Sequence, residues 1–148
     1  MSNHCPFAGI RVTVTKFAPV AFMNADPKTY SFGDVLLVTH ANGMVSQPKL
    51  NAAIRVDRGA VVDLVFELAS PPGDPETYNV VGISFFGQHG GIGMSDFPVR
   101  TVSADPFGRL RLTVHDANIN GNLFEFKLVL QRERDGALGV IDPQIDNA

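Results

Sequence analysis

The chain contains four Asp-Pro steps, a dipeptide with chemistry of its own: Asp26-Pro27, Asp74-Pro75, Asp105-Pro106 and Asp142-Pro143. The Asp carboxylate can attack its own carbonyl carbon while the tertiary amide nitrogen of Pro accepts a proton and leaves, which is covalent catalysis by a carboxylate. Asp-Pro is also a good turn initiator, and we expect plain turns at the first three steps because each is set in a loop. The fourth step differs in position, because it lies near the end of the sequence.

A Pro cannot donate a hydrogen bond to a strand ladder, so the sheet is predicted to stop near Ile141. The residues after it would form an acidic tail with one apolar anchor, Ile145, which either lies loose or docks on a neighbouring copy. The predicted organisation is therefore a single domain, residues 1–141, and a C-terminal tail, residues 142–148.

A second candidate is the pair His115-Asp116, which places an imidazole beside a carboxylate at the end of a predicted strand. Adjacent strand residues point to opposite faces, so the two side chains are not expected to touch. The chain has no Gly-x-Ser-x-Gly elbow to supply a nucleophile. A hydrolytic triad is therefore unsupported, although His115 alone could act as a general acid or base.

The glycines and the single cysteine predict no cofactor site. The segment Gly87–Gly93 resembles a phosphate loop but runs on to Asp96-Phe97-Pro98 without the helix such a loop needs, so we expect a connection between sheets. Cys5 excludes an internal disulfide, and no other Cys or His stands at ligand spacing from it and His4. We therefore expect no metal and no cofactor.

Charge and composition exclude several functional classes. The 148 residues carry a formal net charge of −3, so neither nucleic acid nor an anionic membrane is an expected partner. Arg109, Arg111 and Arg100 could line one strand face, which is better explained as a solvated surface. The sequence opening lacks the pattern of a secretory signal and no stretch has the length of a membrane span, so the cytoplasm is the expected location.

Alternation of apolar and polar residues predicts a fold made of strands. The pattern marks eight of them: Ile10–Phe17, Val35–Thr39, Ala53–Val56, Val61–Leu68, Tyr78–Phe86, Val99–Val102, Leu110–Val114 and Leu123–Leu130. In the last, Phe124, Phe126, Leu128 and Leu130 form the predicted buried face. Short strands separated by Gly and Pro turns favour an all-β, immunoglobulin-like antiparallel β-sandwich of about eight strands, with a barrel as the alternative.

The ending Val140-Ile141-Asp142-Pro143-Gln144-Ile145-Asp146-Asn147 resembles the C-terminal signature of a family of small bacterial proteins, the DP-EP family, in which Asp-Pro precedes an acidic residue, an apolar one and Asn. The body is similar too, in its opening Val-Thr-Val-Thr strand, in Val80-Val81-Gly82-Ile83 and in Phe124-Glu125-Phe126. This chain departs from the family pattern at Gln144, where the pattern has Glu.

The resemblance implies a β-sandwich that cuts its own C-terminal tail and self-associates through that tail. It assigns catalytic roles to Asp142 and Pro143, and binding roles to the four tail residues Gln144, Ile145, Asp146 and Asn147. The alternative is a non-enzymatic module whose tail docks on a neighbouring copy. A ligand-binding sandwich is a third reading, but two Tyr and no Trp offer few aromatic platforms.

Overall fold

The structure of the chain is a computed structural model that describes residues 5–14, 35–39, 44–47, 52–70, 73–88, 90–91, 93–141 and 144–147. For residues 35–39 it describes the backbone alone. Asp142 and Pro143, the two predicted catalytic residues, lie outside the described residues.

The described residues form strands and no helix, which confirms the predicted all-β class. The strands are β1 Phe7–Thr13, β2 Val35–Thr39, β3 Val45–Ser46, β4 Ile54–Val56, β5 Val62–Ala69, β6 Tyr78–Gly87, β7 Val99–Ala104, β8 Leu110–Asp116, β9 Asn122–Arg132, β10 Leu138–Ile141 and β11 Gln144–Asn147. Within this part of the chain there is consequently no helix of the length and apolar character needed to cross a membrane.

The strands form two sheets. One has the order β2-β1-β5-β8-β7, and the other has the order β10-β9-β11-β4-β3, with β6 paired to β9 as well. Two pairs are parallel, β1 with β5 and β11 with β4. The prediction of purely antiparallel sheets is therefore wrong, because these two pairs join strands that are distant in sequence and not linked by a hairpin.

All eight predicted strands are present, with small shifts at their ends. β3, β10 and β11 were not predicted. β3 has two residues, too few to show alternation, and β10 and β11 stand on either side of Pro143, which argued against a strand. Eleven strands among the described residues thus replace the expected eight.

The two sheets share one hydrophobic core. The buried face predicted for β9 is confirmed, since Phe124, Phe126, Leu128 and Leu130 are buried. At one end of this core the rings of Phe85 and Phe97 stack with their centroids 3.9 Å apart. Phe97 lies in the β6–β7 connection, which crosses from one sheet to the other, and this crossing carries Asp96 into the interior beside it.

Candidate functional site at the C-terminal strand

β11 is an interior strand of its sheet. It pairs antiparallel with β9 through Gln144↔Glu125 to Asn147↔Asn122, and parallel with β4 through Ile145↔Ile54 to Asn147↔Val56. The prediction that the sheet stops near Ile141 is therefore wrong. A Pro removes one backbone donor, whereas the residues beyond it keep theirs and can resume pairing.

β10 and β11 extend one another along the same edge of β9. A strand has two edges, and β6 occupies one of them along most of β9, so β10 and β11 share the other. From the pair Ile141↔Leu128 to the pair Gln144↔Glu125, the residue number rises by three from β10 to β11 and falls by three along β9. β10 and β11 therefore keep the same register against β9. The burial alternation also keeps its phase, with Ile141 and Ile145 both in the core.

The four predicted binding residues have different surroundings. Ile145 is 0% exposed and belongs to the hydrophobic core. Asn147 is 1% exposed. Gln144 is exposed and Asp146 is half-buried, as expected for the opposite face of the strand. Two of the four predicted binding residues thus face the interior of their own chain.

Asn147 lies in a cluster of polar side chains that we call the inner polar group, formed by the buried Asp96, Asp116, Asn118 and Asn147 and the half-buried Asn122. The Asn147 Nδ2 donates to Asp96 Oδ2 at 2.8 Å and to Asp116 Oδ1 at 2.9 Å. Asp116 ends β8, in the other sheet. One amide on β11 therefore ties its own sheet to the opposite one.

The loop after β8 wraps around the two carboxylates. Asn118 donates its backbone N–H to Asp116 Oδ1 at 3.0 Å and has a φ of 48°, in the left-handed region that Asn tolerates. Asn120 donates its backbone N–H and its Nδ2 to Asp96 Oδ1, at 3.1 and 3.2 Å. Backbone and amide donors thus hold both carboxylates in place.

The inner polar group has more acceptors than donors. Asp116 Oδ2, Asn118 Oδ1, Asn122 Oδ1 and Asn147 Oδ1 are buried and have no hydrogen-bond partner in the structure. No Lys, Arg or His of the described chain forms an ion pair with Asp96 or Asp116. Burial raises the pKa of Asp116 to about 7, and the charge of Asp96 adds to the rise, while hydrogen bonds from Asn147 and Asn118 oppose it.

A second cluster, the outer polar group, lies on the other face of the same strand end and consists of Cys5, Asp63 and His115. His115 Nδ1 lies 2.8 Å from Asp63 Oδ1, and one ligand-type atom from each of the three residues lies within 4.8 Å of the others. His115 and Asp116 therefore face opposite sides, as the sequence predicted. Burial raises the pKa of the Cys5 thiol, and the charge of Asp63 raises it further.

The outer polar group has the donor types of a transition-metal site, with sulfur, nitrogen and oxygen. A shallow cavity of about 370 Å³ adjoins it, lined by Asp63, Val99, Thr101, Thr113 and His115. Cys5 was predicted to stand apart from other ligand-type residues, because spacing along the sequence does not reveal that β1 lies beside β5.

The three arginines do not share one face. Arg111 points outward from β8 and lies 3.6 Å from Asp105 and 3.9 Å from Glu67. Arg100 is paired in register with the buried Val114, and its guanidinium lies over the Phe85 ring at 4.8 Å. The possible basic strand face is therefore not formed.

The part of the site that the sequence did not predict is the meeting of Asp96 and Asp116 with Asn147. Their positions are far apart in sequence, so only the topology joins them. A local signal was present in the spacing of Asp116, Asn118 and Asn120 before Gly121, which alternates oxygen-bearing side chains along a loop.

The two mixed sheets and their shared core define the class of this protein as an all-β fold. No protein-family model matches the chain, and no curated protein matches its sequence. Among solved structures, the chain is similar in fold to the crystal structure of the inclusion body protein PixA from Burkholderia cenocepacia J2315. The TM-score is 0.56 at 10% sequence identity, covering 99% of this chain and 96% of that chain. The likeness extends over the full length and concerns the fold.

Proposed function

We propose that this chain is an immunoglobulin-like β-sandwich that self-associates by exchanging β11 between copies. The observation that carries the proposal is the position of β11 between β9 and β4. Among the described strands, no other joins β3 and β4 to the rest of the sheet. A copy whose β11 is displaced therefore has a slot bounded by two unpaired strand edges, which the same strand of a second copy fits.

The chemistry of β11 suits exchange. Ile145 is an apolar anchor for the core, and Asn147 supplies the amide that the two buried carboxylates need. Exchange between identical copies conserves every one of these contacts, so it costs little free energy once the strand has been displaced. Four residues are also a short length of ladder to break.

Cross-strand disulfides test exchange directly, because Asp146 and Leu123 are register partners and such partners lie at disulfide distance. One preparation carries Asp146→Cys and a second carries Leu123→Cys, each with Cys5→Ser. After mixing and mild oxidation, we expect a disulfide-linked dimer of the two variants on a denaturing gel. A chain that carries both changes supplies the positive control for reactivity.

The matched control uses Val65 and Thr113, which are register partners on β5 and β8. Val65→Cys and Thr113→Cys on separate copies should give no mixed dimer, because neither strand exchanges in the proposal. If the β9–β11 pair gives no more mixed dimer than this control while its positive control closes, exchange of β11 does not occur.

Self-processing at Asp142-Pro143 is the second candidate. The bond lies between two anchored points, since Ile141 and Ile145 are both fully buried. When the residues on both sides of a reacting bond are fixed, less conformational entropy is lost on reaching the transition state. Attack of the Asp142 carboxylate on its own carbonyl carbon is therefore favoured over the same reaction in a loose tail. Protonation of the Pro nitrogen then completes the break, and water hydrolyses the resulting anhydride.

A cut at this bond would leave Pro143 to Ala148 seated in the sheet by Ile145 and Asn147. The fragment must therefore be sought by intact mass spectrometry under denaturing conditions, on fresh protein and after days of storage. Loss of the fragment in the parent and not in Asp142→Ala supports self-processing. Gln144→Glu, which restores the family pattern, should raise the yield. An unchanged mass in both the parent and Gln144→Glu removes this candidate.

A further inference from the structure

We propose that the inner polar group is a binding site for a divalent cation of the calcium type. Its ligand-type atoms are oxygens, from the carboxylates of Asp96 and Asp116 and from the amides of Asn122 and Asn147. Oxygen donors of mixed carboxylate and amide character are the ligands that Ca²⁺ takes, in sets of about six to eight. The two carboxylates would balance the charge of one divalent ion.

The unpartnered oxygens point to a ligand independently of the acidic pair. Asp116 and Asn147 are 0% and 1% exposed, yet each keeps one oxygen without a hydrogen-bond partner. Asn122 stands directly opposite Asn147 in the register, on the same side of the sheet, and its Oδ1 is also buried and unpartnered. Buried acceptors without partners are rare in folded proteins, so several in one place call for an explanation.

Protonation of Asp116 would remove its buried negative charge, but it would not give a hydrogen-bond partner to all of the unpartnered oxygens. A proton on Asp116 Oδ2 would supply a single donor, which can pair with at most one of the unpartnered amide oxygens of Asn118, Asn122 and Asn147. The other amide oxygens would stay unpaired. A cation would neutralise both carboxylates and take several buried oxygens as ligands at once, which a single proton does not do.

The sequence of the loop after β8 supports the same ion. Asp116-Ala117-Asn118-Ile119-Asn120-Gly121 carries oxygen side chains at alternate positions before a Gly, which is the first half of the loop used by calcium-binding helical hands. The second half is absent, because Lys127 stands where that motif has its Glu and the chain continues as β9. Asp96 and Asn147, from elsewhere in the chain, supply oxygens instead.

A bound ion would hold β11 in place. Asn147 is the one residue of β11 in the group, while Asp96 and Asp116 belong to the β6–β7 connection and to β8. The ion would therefore link the C-terminal strand to the opposite sheet and oppose its displacement. This consequence rests on the proposed function, whereas binding of the ion does not.

Binding is tested on the full chain after treatment with EDTA and dialysis. We expect a saturable heat on titration with CaCl₂ and a rise of several degrees in the thermal midpoint, with MgCl₂ weaker. Asp116→Asn keeps the shape of the side chain and should weaken Ca²⁺ binding at least tenfold. Asp63→Asn, the same change in the outer polar group, should bind Ca²⁺ as the parent does.

The site is refuted if about 10 mM CaCl₂, well above the Kd of the weakest calcium modules, gives neither heat nor a thermal shift. It is also refuted if Asp116→Asn responds to Ca²⁺ as the parent does. Asn122→Ala keeps both carboxylates and removes one oxygen, so a weakened response in that variant shows that the amides take part.

The link to β11 is tested by repeating the Asp146→Cys and Leu123→Cys mixing experiment in CaCl₂ and in EDTA. We expect mixed dimers to form several-fold more slowly in CaCl₂. Ca²⁺ binding without mixed dimers in either solution refutes the exchange and leaves the site. Mixed dimers without Ca²⁺ binding refute the site and leave the exchange. Binding and exchange with equal rates in both solutions refute the link alone.

Discussion

The end of β8 carries two neighbouring residues in opposite electrostatic surroundings. His115 faces outward, half-buried, and meets the carboxylate of Asp63. Asp116 faces inward, fully buried, and meets amides together with a second carboxylate. The His115–Asp63 pair of the outer group is partly exposed, so water can screen it. The two carboxylates of the inner group are buried and have no ion-pair partner among the described residues. Neighbouring residues of a strand point to opposite faces of the sheet. A difference of one position therefore places Asp116, and not His115, in the group for which we propose a bound cation.

The largest predicted effect on the free energy of unfolding is that of Asn147→Ala, in the inner polar group, measured in EDTA. Removing the shared amide leaves two buried carboxylates without that donor, so unfolding should become easier by about 3 kcal/mol. Asp146→Ala, on the opposite face of the same strand, should change stability by less than about 0.5 kcal/mol. Urea unfolding followed by circular dichroism measures both, and equal values would contradict the contrast.

Next in size, taken per pH unit, is a pH effect confined to the inner group. The pKa of Asp116 is about 7 in the folded chain and about 4 when unfolded, so the folded state holds a proton that the unfolded state releases between these values. Stability in EDTA should therefore fall as pH rises from about 4 to 7, by at most about 1.4 kcal/mol per pH unit.

Asp116→Asn should remove this contribution to the pH slope, and Asp63→Asn should keep it. The neighbouring ionisable groups are Asp96, from the β6–β7 connection, and His115, whose side chain lies on the other face. Urea midpoints at four pH values measure the slopes. Parallel slopes for the parent and Asp116→Asn would show that Asp116 is not the group that titrates.

A smaller effect concerns the thiol of the outer group. The thiolate is the reactive form, and the raised pKa of Cys5 makes it scarce at pH 8. Asp63→Asn removes the nearby negative charge, so the pKa of Cys5 should fall and alkylation by iodoacetamide at pH 8 should become a few-fold faster. Glu67→Gln, further along β5, is the control. A rate in Asp63→Asn no faster than in this control would exclude an effect of the Asp63 charge on the thiol.

The smallest effect should be that of His115→Ala on stability. The imidazole and the Asp63 carboxylate are both partly exposed, so their interaction is screened and is worth less than about 1 kcal/mol. Thermal unfolding in low and high salt measures this contribution. A loss above about 2 kcal/mol would mean that the outer group also bears on the core.

Much of the fold was predictable from local pattern. The alternation in β1 and β9 identified their buried faces, because one side of each strand meets the core. The parallel partners of β1 and β11 were not predictable, since pairing between distant strands leaves no local trace. β11 was not predicted because a Pro lacks a backbone donor and argues against a strand, whereas the residues after a Pro keep their donors and can pair.

The candidate site was predictable in part. Asp116 and Asn147 were each marked by local features, as a strand end and as part of a distinctive ending. Asp96 is predicted only as part of a connection between strands, because a lone Asp before Phe97-Pro98 carries no pattern. What joins the three is the crossing of the β6–β7 connection between the sheets, and a crossing is a property of topology rather than of residue spacing.

The place of β11 also bears on how the chain folds. β4 is made long before β11, yet among the described strands its only partners are β3 and β11. β3 and β4 therefore join the rest of their sheet through the pairing of β4 with β11, which closes a long loop. Such non-local contacts slow folding. We therefore expect the completion of that sheet to be a late step of folding that depends on one strand of four residues.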